Sequence, residues 1–322
     1  LLYAMGTPLL FRSAFLNQNA LLTHLVLGTY IVIAGLRPRH AGPVPRHALL
    51  LAGLLMGYGL VCDYSAAPLV LAFGAWLLWL HRQGGWGSLV AAGTWYTIGV
   101  LPMIALVFWY QQAAFGSPWF PAQRYMPATE YSVVGWNGFS LPTGTLLRAN
   151  LFDVRFGLLA FCPFLLLGVF APAVTGDRSD PPRSDRWWFL IVGAALLVFS
   201  SANQFATLQW NTGVRYMVPL TPLLFLATRP VRRMLPRPFS WGLIALSVLV
   251  SMAVSMWRED VVASLRLLFT SGPTLPVLTT LQRMASAYPA LQTGEALPAL
   301  VVIGYLVALV LLWRRDLRPA TT

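Results

Sequence analysis

ALLLAGLLMGYGLVCDYSAAPLVLAFGAWLLWL, residues 48–80, is a nearly unbroken apolar stretch with a single carboxylate, Asp63, near its middle. As one helix its thirty-three residues would extend about 50 Å, against a bilayer hydrocarbon core of about 30 Å. One straight span is too long. The chain is therefore expected to divide at CDYSAAP, residues 62–68. Asp63 then lies in the turn and Pro68 opens the returning helix, where a missing backbone donor does no harm. The division leaves two short spans, which must tilt little or thin the bilayer.

The rest of the chain reads the same way. It has 322 residues, 57% hydrophobic and 10% charged, with a mean hydropathy of +0.65; a soluble domain carries roughly 25% charge. Apolar runs fall near 20–36, 48–62, 66–80, 89–110, 156–175, 187–206, 214–228, 239–257 and 297–313. None shows the alternating ten-residue pattern of an outer-membrane barrel. The expected fold is an all-α, polytopic transmembrane bundle of about nine spans. It forms one transmembrane domain over 1–322, without a soluble domain, repeat or low-complexity tract.

All 22 basic residues are arginine, a usage that fits a GC-rich, bacterial genome. The net charge of +12 could point to nucleic acid, but the arginines gather in short connections between apolar runs, as topology determinants do. Nucleic acid is therefore not an expected partner. With nine spans, Arg37, Arg39 and Arg46, then Arg82, then Arg178, Arg183 and Arg186, then Arg229, Arg232, Arg233 and Arg237, then Arg314, Arg315 and Arg318 share one side. With eight spans they divide between the two sides, against the positive-inside bias. The arginine-rich side is read as cytoplasmic, in a bacterial inner membrane.

The opposite side then holds residues 1–19, the turn at Asp63, and the segments 111–155, 207–213 and 258–296. Long loops rich in aromatic residues are more often functional than disordered. Within 258–296, Val261, Val262, Leu265, Leu268 and Phe269 recur at helical spacing, and Leu278, Leu281 and Ala285 continue a weaker stripe. Both predict helices lying on the membrane surface. Trp119, Phe120, Tyr125, Tyr131, Trp136 and Phe139 crowd the other long segment, as an interfacial belt more than as sugar-stacking planes. His24 reads as a packed histidine. Cys62 and Cys162 lack metal-ligand spacing, and no cofactor is evident; a divalent metal has no ligand cluster to support it.

Phosphate-holding candidates on the outer side are Arg12, Arg148, Arg155 and Arg215. Arg215 opens GVRYMVPLTPLL, residues 213–224, whose Pro219 and Pro222 suit the first turns of a helix. It can reach lipid headgroups, or it can hold a phosphate with its planar fork beside a helix N-terminus. Asp63 is the most conspicuous of the outer carboxylates, which also include Glu130, Asp153, Glu259, Asp260 and Glu295. It can serve chemistry, or simply cap the helix that follows from Ser65. Asp153 and Arg155 can pair with each other. Asn17, Gln18 and Asn19 offer hydrogen bonds at the start of the first span.

RYMVPLTP, residues 215–222, resembles the Arg-Tyr-x-x-Pro-x-x-Pro element of GT-C-type membrane glycosyltransferases, the superfamily of protein mannosyltransferases and aminoarabinose transferases. GLLMGYGLVCDYSAAPLVLAFGAWLL, residues 53–78, is similar to that superfamily's glycine-rich span, polar turn and following span. Many of its members place lysine, or sometimes an acid, where this chain has Asp63. GTPLLFRSAFLNQNALLTHLVLGTYIVI, residues 6–33, is similar to an exoplasmic loop and span in which an acid often follows the arginine by five residues; from Arg12 that position is Asn17.

The resemblance covers roughly residues 5–230. It implies transfer of a sugar from a polyprenyl-phosphate donor to an acceptor at the exoplasmic face, with Arg215, Tyr216, Arg12, Arg155 and Asn17 at the substrate. Membrane lipids are the other expected partners. Inverting transfer needs a carboxylate to take the acceptor's proton and cations for the departing phosphate. The superfamily's Asp-Glu or Asp-x-Asp pattern does not occur here. Since the chain opens Leu-Leu-Tyr, the main catalytic acid is expected upstream, with Asp63 the candidate within these residues. Two alternatives stay open: a non-catalytic assembly protein, and a lipid or sugar transporter or flippase.

Overall fold

The computed structural model describes residues 1–13, 17–36, 46–120, 122–125, 127–206 and 214–274, with isolated positions between 304 and 311. The expected span 297–313 (those isolated positions apart), the loop 207–213, the stripe at Leu278, Leu281 and Ala285, and Arg37, Arg39, Glu295, Arg314, Arg315 and Arg318 lie outside the described residues. Two short helices, α1 (Leu2–Met5) and α2 (Leu9–Ser13), precede α3 (Gln18–Gly35), α4 (Arg46–Cys62), α5 (Ala67–His81) and α6 (Gly85–Phe115). Then come α7 (Gly144–Phe152), α8 (Leu158–Phe161), α9 (Leu166–Phe170), α10 (Arg183–Ala202), α11 (Thr221–Met234), α12 (Arg237–Trp257) and α13 (Val261–Ser271). Among the described residues, four stretches are long and apolar enough to cross a membrane: Gln18–Gly35, Tyr64–Phe115, Arg183–Ala202 and Arg237–Trp257.

The apolar stretch at 48–80 divides where its chemistry predicts. Asp63 leaves helical geometry (φ −159°) and its side chain accepts from Ser65 N, so a short 3₁₀ turn, Tyr64–Ala66, leads into α5 with Pro68 in the first turn. The stretch then reverses a second time before α6, where Tyr96 Oη donates to Val70 O at 2.8 Å. Each leg of the first hairpin is short.

What joins these legs is a seam of glycines. A Cβ built on Gly53 would fall 2.1 Å from Tyr96 O, one on Gly99 2.3 Å from Leu50 O, and one on Gly57 3.0 Å from Met103 Cβ. Leu50 and Gly53 of α4 therefore meet Tyr96 and Gly99 of α6, and Gly57, one turn on, meets Val100 and Met103, so the two helices run parallel with their main chains touching. Apolar surface alone does not drive helices together in lipid, so association depends on this close contact of small residues.

The sequence predicts one span over 156–175, and here the structure differs. The helix breaks: α8 ends at Phe161, Cys162 is extended, and a 3₁₀ turn at Pro163–Leu165 precedes α9, which ends before Pro172. Proline removes a donor and clashes with the preceding turn. The released groups find partners, since Phe164 N donates to Ser247 Oγ of α12 at 3.0 Å and Cys162 Sγ to Gly6 O, as buried backbone requires. The run expected from 214 likewise becomes helical late, through a 3₁₀ turn at Val218–Leu220 with Pro219 in its first positions, where a missing backbone donor does no harm. His24, expected to be packed, lies on the exposed face of α3 and bonds Ala20 O through Nδ1.

Several of the arginines expected in connections sit in terminal turns of helices, Arg183 and Arg186 at the start of α10 and Arg232 and Arg233 at the end of α11. Arg186, buried, donates to Ala171 O and Val174 O. Arg233 reaches Asp177 and the buried carboxylate of Asp180, and Arg229 lies 3.5 Å from Asp180. This clasp ties the end of α11 to the connection before α10. Exposed Trp86, Trp187 and Trp241 ring the same end, while exposed Trp109 and Tyr110 mark the other. Trp86 and Trp109 stand roughly 34 Å apart along α6 at about 1.5 Å per residue, close to the hydrocarbon thickness.

The seam makes a specific prediction. Gly99→Ala should lower unfolding stability in detergent by about 1–3 kcal/mol through overpacking. Gly93→Ala, whose Cβ would meet only Leu78 Cδ2 at 3.4 Å, should be neutral or mildly stabilising through helix propensity. Equal thermal midpoints for the two variants would contradict the close crossing.

Candidate functional site

Asp63 stands at the tip of the α4–α5 hairpin. One carboxylate oxygen accepts from Ser65 N at 2.8 Å, which fixes the side chain as a helix cap, and the other lies 3.8 Å from Arg215 Nη2. Asp63 therefore caps the helix, and it also faces a cation 152 positions away in sequence. The pair is loose. At that separation the two groups attract without a direct hydrogen bond, so an anionic ligand can compete for the guanidinium.

Around this pair lies a cavity of about 660 Å³. Helix ends converge on it from much of the bundle: Gln18 at the start of α3, Leu60–Ser65 at the hairpin, Leu106, Val107, Trp109 and Tyr110 near the end of α6, Phe199 and Asn203 at the end of α10, and Arg215 and Tyr216 ahead of α11. Among the described residues lining it, Asp63 supplies the one carboxylate and Arg215 the one guanidinium. Leu60, Val61, Leu106 and Val107 make one side apolar, whereas Tyr64, Ser65, Asn137 and Asn203 make the mouth polar. Tyr64 is steered by Gln111, buried in α6, whose Nε2 donates to the phenol oxygen at 2.9 Å.

A tight turn roofs the cavity. Trp136 and Phe139 exchange both backbone hydrogen bonds, at 2.8 and 3.0 Å, across Asn137 (φ +50°) and Gly138 (φ +85°). That is the two-residue Asn-Gly turn whose positive φ at both central positions suits a hairpin. Ser140 N then donates to Ala202 O and Gln204 N to Gly138 O, fastening the turn to the end of α10. The dipeptide flanked by aromatic residues was the signal in WNGF, and it brings Asn137 and Phe139 to the site. Apart from these two, most of the aromatic residues of 111–155 stay on the surface, with Trp119, Tyr125 and Trp136 exposed.

The other predicted site residues divide. Tyr216 lines the cavity beside Arg215. Arg12 is fully buried behind it, donating from Nε to Val214 O. Burial and then repulsion from Arg215 push its guanidinium down to about 9, still charged at neutral pH. Two cations therefore lie close together, with one carboxylate beside Arg215, an arrangement that favours an anion. Asn17 caps α3, accepting from Asn19 N, while the next residue, Gln18, reaches the cavity. Arg155 does not join the site: it binds Asp153 through two hydrogen bonds, at 2.9 and 3.0 Å, and this bond holds the Asp153 carboxyl below its ordinary range. Arg148 lines a separate groove of about 540 Å³ with Asp153. Asp260 caps α13, and Glu130 and Glu259 are exposed. No group of three His, Cys, Asp or Glu side chains gathers among the described residues.

The loose, partly exposed Asp63–Arg215 pair should contribute little to folding. A double-mutant cycle with Asp63→Asn and Arg215→Gln, followed by unfolding in detergent, should give a coupling of about 0.5–1 kcal/mol that shrinks as salt rises. A coupling of zero at low salt would separate the two side chains. Searches against protein families, characterised proteins and solved structures found no match, so the functional reading rests on this chemistry and on the resemblance of short motifs.

Proposed function

We propose that the chain is a multi-pass membrane glycosyltransferase that transfers a sugar from a polyprenyl-phosphate donor to an acceptor at the exoplasmic face of a bacterial inner membrane. In this reading about nine spans cross the bilayer, the clasped arginine end faces the cytoplasm and the cavity opens outward. The observation that carries it is the meeting of Asp63 and Arg215 at the mouth of one cavity whose inner side is apolar. Each part has a use. Arg215 takes the phosphate with charge-assisted hydrogen bonds, and Arg12 beneath it adds positive potential where charge develops on the leaving phosphate. The apolar side between α4 and α6 receives the first isoprenes. Asp63 is the carboxylate within reach of the sugar and of the acceptor hydroxyl whose proton must leave.

A transporter would place a broken helix and charges along a central path. The broken helix here, α8–α9, packs its break against α12 with Cys162, Phe164 and Leu165 buried, and supports that reading less well. A non-catalytic binding protein would hold the same donor without transfer.

The test offers radiolabelled polyprenyl-phosphate sugars to the full-length protein in detergent. Arg215→Ala should weaken donor binding about 10- to 100-fold, the usual range for a charged hydrogen bond to phosphate, and Arg215→Lys should restore part of it. Undiminished binding and transfer in Arg215→Ala would remove the phosphate site. Binding without turnover would leave the non-catalytic reading. Topology has its own check: with Cys62 and Cys162 replaced, a cysteine at the exposed Val133 should react with an impermeant maleimide from outside intact cells. Reaction only after permeabilisation would overturn the orientation.

A further inference from the structure

The roof and floor of the cavity contain polar atoms that the fold itself does not use. Ser65 is 2% exposed and lines the cavity, yet among the described residues its hydroxyl has no hydrogen-bond partner; nor does Nδ2 of Asn137 across the mouth. Buried polar groups are almost always paired, because an unmade hydrogen bond in a dry environment costs on the order of 1–3 kcal/mol. Exceptions point to an absent ligand when they face a cavity. A third group joins them, since Tyr64 Oη accepts from Gln111 and keeps its own proton to donate.

These three side chains come from the α4–α5 turn and the Asn-Gly turn, and all belong to the polar mouth. Asp63, beside them, can only accept. The set of hydroxyl and amide donors around one carboxylate matches the alternating donors and acceptors of a polyol, and ring faces at Tyr110 and Phe139 offer planes for its C–H bonds. The charged groups of the mouth already oppose each other, and the other polar groups named here are neutral.

We infer that Ser65, Asn137 and Tyr64 form a hydroxyl-reading subsite for an uncharged sugar, so that the cavity selects neutral hexose donors over amino sugars and over the bare lipid phosphate. The inference rests on the donor reading above. It assigns phosphate recognition to Arg215 and sugar recognition to the two turns, as separable contributions. An ammonium group can only donate, so Nδ2 of Asn137 would lose the acceptor oxygen that a sugar hydroxyl offers it.

The experiment measures binding of three probes to the full-length protein in detergent: polyprenyl phosphate, polyprenyl phosphoglucose and polyprenyl phosphoglucosamine. The wild type should bind the glucosyl probe at least about tenfold tighter than the bare carrier, consistent with one or two well-made hydrogen bonds, with the glucosamine probe between them. Ser65→Ala and Asn137→Gly should each erase about three- to tenfold of the glucosyl advantage and leave bare-carrier affinity unchanged. Glycine tolerates the positive φ of Asn137, so the second variant removes the amide while keeping the turn; matched unfolding midpoints check that both variants fold. Equal affinity for glucosyl and bare probes in the wild type, or tighter binding of the glucosamine probe, overturns the subsite while leaving the phosphate site standing. Failure of all three probes to bind sinks the donor reading itself.

Discussion

The main chains of α4 and α6 touch because Gly53, Gly57 and Gly99 carry no side chain there. In lipid, where the surroundings are as apolar as leucine, close packing and not water exclusion holds helices together. That contact fixes two parallel helices, so α5 returns between their ends and the α4–α5 turn lies against the C-terminal part of α6. Asp63 owes its position to this geometry. So does the Gln111–Tyr64 hydrogen bond, which crosses from one element of the seam to the turn of the other.

The site is assembled from helix ends that are distant in sequence. Arg12 ties α2 to the strand of chain before α11 through Val214 O, and so sets the guanidinium of Arg215 beside the hairpin tip. On the far side, the Asn-Gly turn is sewn to the end of α10 and closes the mouth. Polar side chains of the cavity thus lie on turns and helix termini, where their backbones are already held by caps, whereas the apolar side is built from helix interiors.

Much of this was legible in the sequence, and the limits are physical. The length of 48–80 against a bilayer, with Asp63 and Pro68 in its middle, was enough to divide that stretch correctly, because span length is a hard constraint. Composition could not reveal that 156–175 is broken. Its hydropathy is that of a span, and the break at Pro163 is tolerated only because Ser247, far along the chain, supplies a partner. The partnership of Asp63 with Arg215 was likewise tertiary: each stood out alone as a charge near hydrocarbon, but nothing local joined them. Arg155 was singled out on the same grounds, and its bond to Asp153, two residues away, was the simpler outcome. Ser65, Gln111, Asn137 and Asn203 were passed over because polar residues at helix ends are common; the Asn-Gly dipeptide alone gave a readable signal.

The unequal helices have a consequence for the surrounding lipid. At about 1.5 Å per residue, α4 and α5 reach only about 25 and 22 Å, while α6 beside them reaches about 46 Å. A hairpin shorter than the roughly 30 Å oily slab must draw the leaflet down around its tip. The membrane face nearest Asp63 would then be dimpled, with headgroups there several ångströms lower than their neighbours. Thicker membranes would pull the rim of that dimple away from the protein, and thinner ones would relax it.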